Sequence, residues 1–390
     1  MKIVDVQVIP LAYEVDDVPP QMRSFAIFKV TTDEGIVGWG EASDCYGHHI
    51  PLTVKAYVEE QLKWWLLDQD PLQLEELIGR IRPQIYRYQG RGDLVIQALS
   101  GVEIALWDIR GKVMGKPISQ LLGAYRQRIP LYAAGRAGAF HAPPEQHLEW
   151  FQPLLSRGVK AAKVRIGNNF KWDAERVRAM RKLLPADVRL LVDGKYNYTP
   201  DSAIRMSYIL ADVGADCWEE PIPDVNLDQV ARVAAASPVP LAYGEHCFTI
   251  HDFRELIMRK AARILTPDAT VCGGISEALE AAKLAVTFGL GVDPHAGGLT
   301  AIGLAANIHL AAAMPELVYF EFDSRGFQPM RDELPTEPLF SVDRVVDGCM
   351  PVPTGPGLGV EVNEAVFERY PYRVDERVAR TYSWYAIPHI

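Results

Sequence analysis

At 390 residues the chain is longer than one ordinary domain, and its length predicts two. With 48% hydrophobic and 23% charged residues, its composition is typical of a globular protein and argues against extensive disorder. The net charge is −10, and no cluster of Lys and Arg is long enough to follow a phosphate backbone, so nucleic acid is not expected as a partner.

The sequence also bears on cellular location and on the state of the cysteines. The first residues alternate like a strand and lack the apolar core of a signal peptide. The most apolar helical stretch, 301–314, is interrupted by Asn307 and His309 and is too short to span a bilayer. The five cysteines are scattered without metal-type spacing, which indicates free thiols. The sequence therefore predicts a cytoplasmic protein with no membrane partner.

The N-terminal part has the pattern of a small antiparallel sheet followed by helices. The predicted strands are 2–9, 25–31 and 36–41, and the predicted helices are 52–68, 72–80 and 94–113.

From about residue 130 short strand-like runs recur, each followed by an amphipathic stretch. The runs are 131–136, 161–166, 189–194, 216–221, 240–245, 264–269, 291–296 and 318–323. Polar residues stand near the ends of seven of them, at intervals of 23 to 30 residues: Lys163, Asp193, Glu219, Glu245, Asp268, His295 and Glu321. This repeat predicts a parallel β/α array, and eight strands would close a barrel. A doubly wound open sheet is the alternative, but no Gly-rich phosphate turn favours it.

These patterns predict three parts of the chain. Residues 1–125 form an α+β cap, 126–325 form the β/α barrel, and 326–390 form a C-terminal segment that packs back on the cap. No low-complexity segment or long linker separates them.

The polar strand ends predict an active site, because the C-terminal ends of barrel strands meet at a common mouth. Asp193, Glu219 and Glu245 offer only oxygen ligands, which suit Mg²⁺. Asp268 beside His295 would orient the imidazole and raise its basicity, as a general base requires. Any one of these residues could be a solvated loop charge, but ionisable residues at the equivalent position of seven strands favour an active site.

The chain resembles the mandelate racemase subgroup of the enolase superfamily over essentially its whole length. In the cap the resemblance lies in GIVGWGE at 35–41 and ALSGVEIALWDIRGK at 98–112. In the barrel it lies in WEEP at 218–221, GE at 244–245, PD at 267–268 with CGG at 272–274, PH at 294–295 and Glu321.

The resemblance implies an α/β fold, a (β/α)7β TIM-like barrel with an α+β capping domain, and a role for each strand-end residue. Asp193, Glu219 and Glu245 match the Mg²⁺ ligands, which makes Glu220 a residue beside the site or at its rim. His295 with Asp268 matches the general base or acid. Glu321 matches the donor to the enediolate oxygen, so it must be protonated, and burial together with neighbouring carboxylates must raise its pKa.

Two positions depart from the subgroup pattern. Many members carry Lys-x-Lys on the second barrel strand, whereas this chain has Lys163 followed by Arg165. Arginine is effectively never deprotonated, so Arg165 is expected to hold a substrate carboxylate, or else to form a rim ion pair, while Lys163 acts electrostatically. Lys195 stands where many relatives have Asn, and it is expected to reach the mouth and assist a departing hydroxyl. A solvated lysine is the alternative.

Other candidate substrate contacts lie in loops. Tyr46, His48 and His49 fall in a segment that matches a substrate loop of the family, although tandem histidines are often only surface residues. His246, directly after a proposed ligand, faces either the metal site or solvent.

The resemblance implies a Mg²⁺-dependent acid-sugar dehydratase that converts a small anionic sugar acid to a 2-keto-3-deoxy acid. The alternative is an isomerase, either a racemase, an epimerase or a lactone cycloisomerase. A non-enzymatic barrel would be expected to lose ligands or the His–Asp pair, and both are present. Homo-oligomers are common in this family, so one is expected here.

Overall fold

The computed structural model describes residues 1–15, 21–43, 50–135 and 142–373. The strands are β1 (Ile3–Val15), β2 (Gln21–Thr32), β3 (Val37–Ala42), β4 (Arg128–Ala134), β5 (Ala161–Arg165), β6 (Arg189–Asp193), β7 (Ala215–Glu219), β8 (Leu241–Tyr243), β9 (Ile264–Leu265), β10 (Gly291–Val292), β11 (Phe320–Asp323) and β12 (Cys349–Pro351).

The helices of the N-terminal part are α1 (Ile50–Tyr57), α2 (Lys63–Leu66), α3 (Leu74–Tyr88), α4 (Leu94–Met114) and α5 (Ile118–Leu121). Those that follow are α6 (Pro144–Leu155), α7 (Phe170–Leu183), α8 (Pro200–Asp212), α9 (Leu227–Ala236), α10 (Ile250–Met258), α11 (Ile275–Thr287), α12 (Ala301–Ala313), α13 (Pro329–Asp332) and α14 (Ala365–Arg369). A π-helical turn, Val58–Leu62, joins α1 to α2, and a 3-10 turn spans Val342–Arg344.

The large sheet is parallel and closes on itself. Its strand order is β10-β9-β8-β7-β6-β5-β4-β11, and Val292 forms a parallel bridge with Leu317, just before β11. Within the described ranges, eight strands therefore alternate with the seven helices α6 to α12. The predicted (β/α)7β barrel is confirmed, and the open-sheet alternative is wrong.

Close glycine contacts join the sheet of the cap to its longest helix. A Cβ at Gly38 would lie 2.2 Å from the carbonyl oxygen of Ala105, and one at Gly40 would lie 1.9 Å from that of Gly101. Only glycine lets β3 approach α4 this closely. The two cap motifs read from the sequence are thus the two sides of one contact.

The C-terminal segment returns to the cap and to the first barrel strand. The backbone N–H of Ala12 donates to Tyr370 (3.1 Å), Lys29 pairs with Glu364 (2.7 Å), and β12 pairs antiparallel with β4. The domain bounds at 125 and 325 stay predictions, as do the homo-oligomer and the cytoplasmic location.

Several predicted bounds are wrong for identifiable reasons. The helix predicted at 72–80 continues to Tyr88 through Pro83, because its buried face, including Ile81 and Ile85, keeps it on the core. The helix predicted at 52–68 is interrupted by the π-helical turn and ends at Leu66.

The barrel strands β8, β9 and β10 end before their catalytic candidates. Gly244 has φ of 141°, which lies outside the extended region, and Pro267 and Pro294 have no N–H to donate to a ladder. Glu245, Asp268 and His295 therefore stand in the loops that follow these strands.

No helix in the described ranges is long and apolar enough to cross a membrane. Four of the five cysteines are free thiols (Cys217, Cys247, Cys272 and Cys349), and Cys45 lies outside the described residues.

Candidate active site

Strand register brings the predicted site residues to one end of the barrel. Arg165 on β5 pairs with Asp193 on β6, which in turn pairs with Glu219 on β7. The residues that share this end are all buried, with at most 6% of their surface exposed: Lys163, Arg165, Asp193, Glu219, Glu245, Asp268, His295 and Glu321.

The three proposed ligand carboxylates differ in the positive charge that surrounds them. Lys163 Nζ donates to Glu219 (2.7 Å) and Arg165 Nη1 donates to Asp193 (2.6 Å). Burial, together with the charges of Asp193 and Glu245, raises the pKa of Glu219 to about 8 despite Lys163. Buried oxygen donors that repel one another in this way fit a hard divalent cation, which would offset their charge.

A different set of potential ligand atoms among the described residues, those of Glu220, Glu245 and His246, lies within 4.8 Å of one another. His246 Nε2 is 3.4 Å from Glu245 Oε1 and 3.8 Å from Glu220 Oε2. Asp193 and Glu219 are instead turned toward their cationic partners. His246 thus faces the carboxylates, and Glu220 is buried beside them rather than exposed at the rim.

Asp268 and His295 form a buried pair. His295 Nδ1 donates to Asp268 Oδ2 (2.9 Å), and Nε2 is 3.7 Å from an oxygen of Glu245 and from one of Glu321. Burial opposes protonation, but the charge of Glu245 and the hydrogen bond to Asp268 raise the pKa of His295 to about 9. A carboxylate bonded to Nδ1 leaves Nε2 as the nitrogen that exchanges a proton with a substrate.

The expected rise in the pKa of Glu321 is wrong for this arrangement. Burial alone would raise that pKa, but the charges of Lys163, His295 and Arg165 lower it below its ordinary value. Lys163 Nζ lies 3.2 Å from Glu321 Oε1, and the backbone N–H of Ala296 donates to Oε2 (3.3 Å). The sequence analysis considered only burial and the neighbouring carboxylates, whereas in the structure three cations lie close to the carboxyl group of Glu321.

The cations of the mouth differ in their surroundings. Lys163 lies over the ring of Tyr132, 5.1 Å from its centroid, and its contacts with Glu219 and Glu321 raise its pKa well above the ordinary value although burial opposes this. Arg165 pairs with Asp193 and is buried in the mouth, so it does not lie at a solvated rim.

Lys195 lies beside the same carboxylates. Its backbone has φ of 47° and its N–H donates to Asp193 Oδ1 (2.9 Å). Burial and the charge of Arg165 lower the pKa of its ammonium group, whereas Glu245 raises it. A half-buried lysine in this position is not the freely solvated side chain of the alternative interpretation.

Sequence reasoning missed two residues that hold Asp268. Thr270 donates to Asp268 Oδ1 from its N–H (2.8 Å) and its hydroxyl (2.7 Å), and Asn307 Nδ2 donates to the same oxygen (2.9 Å). Asn307 carried a usable signal, since it and His309 are the two polar residues of α12, a helix otherwise made of apolar residues and glycine. The predicted substrate contacts of Tyr46, His48 and His49 lie outside the described residues.

Comparison with protein families gives two matches. Residues 2–123 match the N-terminal domain of mandelate racemase / muconate lactonizing enzyme, and residues 148–366 match the enolase C-terminal domain-like family.

Two curated relatives differ in the reaction they are named for. The D-galactarolactone cycloisomerase of Agrobacterium fabrum is 35% identical, over 87% of this chain and 89% of its own. The arabinonate dehydratase of Saccharolobus solfataricus is 34% identical, over 88% of this chain and 89% of its own.

Solved structures show the same fold over nearly the whole chain. An enolase superfamily member from Polaromonas sp. JS666 superposes with a TM-score of 0.87 at 34% identity, covering 96% of this chain and 98% of its own. A racemase from Streptomyces coelicolor with bound magnesium has a TM-score of 0.80 at 26% identity, with coverage of 94% and 99%.

Proposed function

Because the chain belongs to the mandelate racemase / muconate lactonizing enzyme family of the enolase superfamily, we propose that it dehydrates a sugar acid. The proton next to the carboxylate is removed and the β-hydroxyl leaves as water, which gives a 2-keto-3-deoxy acid after tautomerisation. The observation that carries the removal of the α-proton is the buried pair of His295 and Asp268.

We propose Asp193, Glu219 and Glu245 as the ligands of Mg²⁺. Their oxygen chemistry and mutual repulsion support this assignment, as does the bound magnesium of the Streptomyces coelicolor racemase. When bound, the ion would supply positive charge that stabilises the enediolate and offsets the field of Glu245 on His295. His246 and Glu220 lie next to Glu245 and would hold its carboxylate in place.

A one-sided reaction follows from the charges around the mouth. His295 Nε2 takes the α-proton, and a general base must be neutral to do so. Lys163 holds its proton because its pKa is well above the ordinary value, and Arg165 is a guanidinium that does not deprotonate. Neither is a second base, so the geometry disfavours a two-base racemase.

The departing hydroxyl needs a proton, and Lys195 or His295 supplies it. Lys195 lies beside Asp193, and burial favours loss of its proton. Lys163 and Arg165 place fixed positive charge next to Glu321, where the substrate carboxylate develops a second negative charge.

A lactone cycloisomerase is the second candidate. It is favoured by the 35% identity to an enzyme of that name, and it uses the same abstraction of an α-proton without net loss of water. The buried site does not distinguish the two reactions, because they differ only in which bond to oxygen breaks after the enediolate forms.

The test is a library of hexonates, pentonates, aldarates and their lactones, incubated with the purified enzyme and magnesium in D2O. A 2-keto-3-deoxy product that has lost the mass of one water supports dehydration, and a product of unchanged mass apart from deuterium, formed from a lactone or an acid, supports the second candidate. Failure to exchange the α-proton of any member would contradict both.

Lys195→Met separates the two roles of that lysine. If Lys195 serves the leaving group, the variant slows keto-acid formation more than deuterium incorporation on the same substrate. Equal loss of both rates would assign Lys195 to substrate binding or proton abstraction instead.

A further inference from the structure

Helix α12 begins against a buried carboxylate from the cap. Glu41 on β3 accepts the N–H of Thr300 (3.1 Å), the hydroxyl of Thr300 and the N–H of Gly303 (2.7 Å). Thr300 in turn accepts the N–H of Ile302 (3.1 Å). Glu41 is fully buried, so the first turn of this barrel helix is held by the capping domain.

The start of the helix is also packed too closely to shift independently. A Cβ at Gly303 would lie 2.7 Å from Glu41 Oε2 and 3.1 Å from Thr270 Cγ2. Glu41, Gly303 and Thr270 therefore share one tight contact, and Thr270 is itself a donor to Asp268.

One turn further along α12, Asn307 reaches the catalytic pair. Its Oδ1 accepts the N–H of Ala269 (3.0 Å), and its Nδ2 donates to Asp268 Oδ1 (2.9 Å) and to the carbonyl of Gly303 (3.2 Å). A backbone N–H only donates, so the amide oxygen must face Ala269 and the amide nitrogen must face Asp268. Asn307 is completely buried, which leaves it no other orientation.

The two oxygens of the Asp268 carboxylate therefore have different hydrogen-bond partners. Its Oδ1 accepts from Asn307 and twice from Thr270, and Oδ2 accepts His295 Nδ1. With the carboxylate held on one side, the imidazole keeps its proton on Nδ1 and presents Nε2 to the mouth.

We propose that Asn307 is a positioning residue that fixes the tautomer and orientation of His295 through Asp268, and that Glu41 couples this position to the seating of the cap. The inference rests on the proposed function, since it matters for catalysis only if His295 is the base. A merely structural role predicts lost stability alone.

The test combines a spectrum with a pair of kinetic constants. Asn307→Leu removes the amide at similar volume, and it is expected to lower the rate of α-proton exchange by roughly 10–100-fold with KM changed less than about twofold. In protein labelled with ¹⁵N-histidine, the signal that disappears in His295→Asn reports this imidazole. At a pH where the wild-type imidazole is neutral, Asn307→Leu is expected to lower its population protonated on Nδ1.

Matched cap variants cover the case in which Asn307→Leu does not fold. Glu41→Gln is expected to slow exchange and to shift the His295 signal. Glu103→Gln is the control, since Glu103 is an equally buried cap carboxylate that accepts the N–H groups of Ile275 (2.7 Å) and Ser276 (3.1 Å) at the start of α11 and shares no side-chain hydrogen bond with Asp268, Asn307 or His295 in the described structure.

The proposal is overturned if folded Asn307→Leu keeps the wild-type His295 signal, or if Glu41→Gln and Glu103→Gln slow exchange equally at equal loss of stability. The NMR measurement needs no substrate. A shifted His295 signal in an enzyme that exchanges no sugar acid would therefore refute the proposed function and leave the positioning role standing.

Discussion

The barrel mouth and the junction that the cap makes with the barrel and the C-terminal segment both bury carboxylates, but these carboxylates have different hydrogen-bond partners. At the junction, Glu41, Glu103 and Asp108 are fully buried and accept hydrogen bonds from backbone N–H groups of other elements. At the mouth, Glu219 pairs with the side chain of Lys163 and Asp193 pairs with that of Arg165, while the two carboxylates repel each other.

The difference separates structure from chemistry. Backbone donors cannot leave, so a carboxylate bound to them holds two parts of the fold together. Carboxylates held by side-chain cations retain acceptor capacity that a metal ion or substrate can use. Burial alone therefore does not identify a catalytic carboxylate, whereas two backbone N–H donors from distant elements distinguish each of the three junction carboxylates from Glu219 and Asp193.

The largest expected effect tests the carboxylates of the mouth. Exhaustive chelation should abolish turnover and Mg²⁺ should restore it. Glu219→Gln removes one formal charge from the proposed ligand set, so its loss of metal affinity should exceed the roughly 10–100-fold typical of residues that only support ligands. Titration calorimetry with Mg²⁺ measures it, with Glu103→Gln as the control. Full activity in the chelated enzyme would show that the mouth holds no catalytic metal.

The second effect concerns the base. His295→Asn should lower α-proton exchange by about 10²–10⁴-fold, the usual contribution of a general base. Metal affinity and fold should be unchanged, because the imidazole contacts Glu245 only at 3.7 Å. Exchange in D2O followed by proton NMR measures the rate. Wild-type exchange in this variant would place the base elsewhere, with Lys195 examined first.

The sequence was sufficient to predict the barrel and the residues around its mouth. A polar residue recurs near the end of seven of the eight predicted strands, and the period of a parallel β/α array places Asp193, Glu219 and Glu245 at the ends of neighbouring strands. Exact strand ends were not predictable in the same way, because Pro267 and Pro294 stop the ladder without changing the repeat.

Contacts between distant segments were also beyond the sequence. Asn307 and Asp268 are 39 residues apart, and Glu41 and Thr300 are 259 apart, so only the packed fold brings them together. The direction of the pKa shift of Glu321 depends on which cations reach it, and side-chain conformations decide that.

A smaller effect tests a buried histidine of the junction. His309 Nδ1 accepts the N–H of Ser119 (3.2 Å) and Nε2 donates to the carbonyl of Leu358 (3.0 Å). Burial lowers the pKa of His309 from 6.5 to about 4. Between these values the unfolded chain binds a proton that the folded chain does not, so stability falls as the pH is lowered through this window.

Once the pH lies below both pKa values, His309 has lowered the free energy of unfolding by about 3 kcal/mol, because each unit of pKa difference corresponds to about 1.36 kcal/mol. His309→Gln lacks the titrating group and should show a shallower fall in stability between pH 6.5 and 4 than the wild type. Urea unfolding at matched pH values measures the difference between the two proteins, in which the titration of other groups cancels. Parallel curves would mean that folding does not lower the pKa of His309.

The smallest effect tests a junction carboxylate that has no link to the catalytic pair. Asp108 accepts the N–H of Leu358 (2.9 Å) on one oxygen, and the N–H of Trp39 (2.9 Å) and the ammonium of Lys112 (2.6 Å) on the other. In Asp108→Asn the amide nitrogen must face at least one of these donors, which leaves a buried N–H unpaired at about 1–3 kcal/mol. Urea unfolding should show that loss, while the exchange rate per folded molecule stays within about twofold of wild type, since distant sites usually behave independently. If Asp108→Asn instead slows exchange at unchanged stability, backbone-held carboxylates also serve the chemistry, and the contrast between mouth and junction fails.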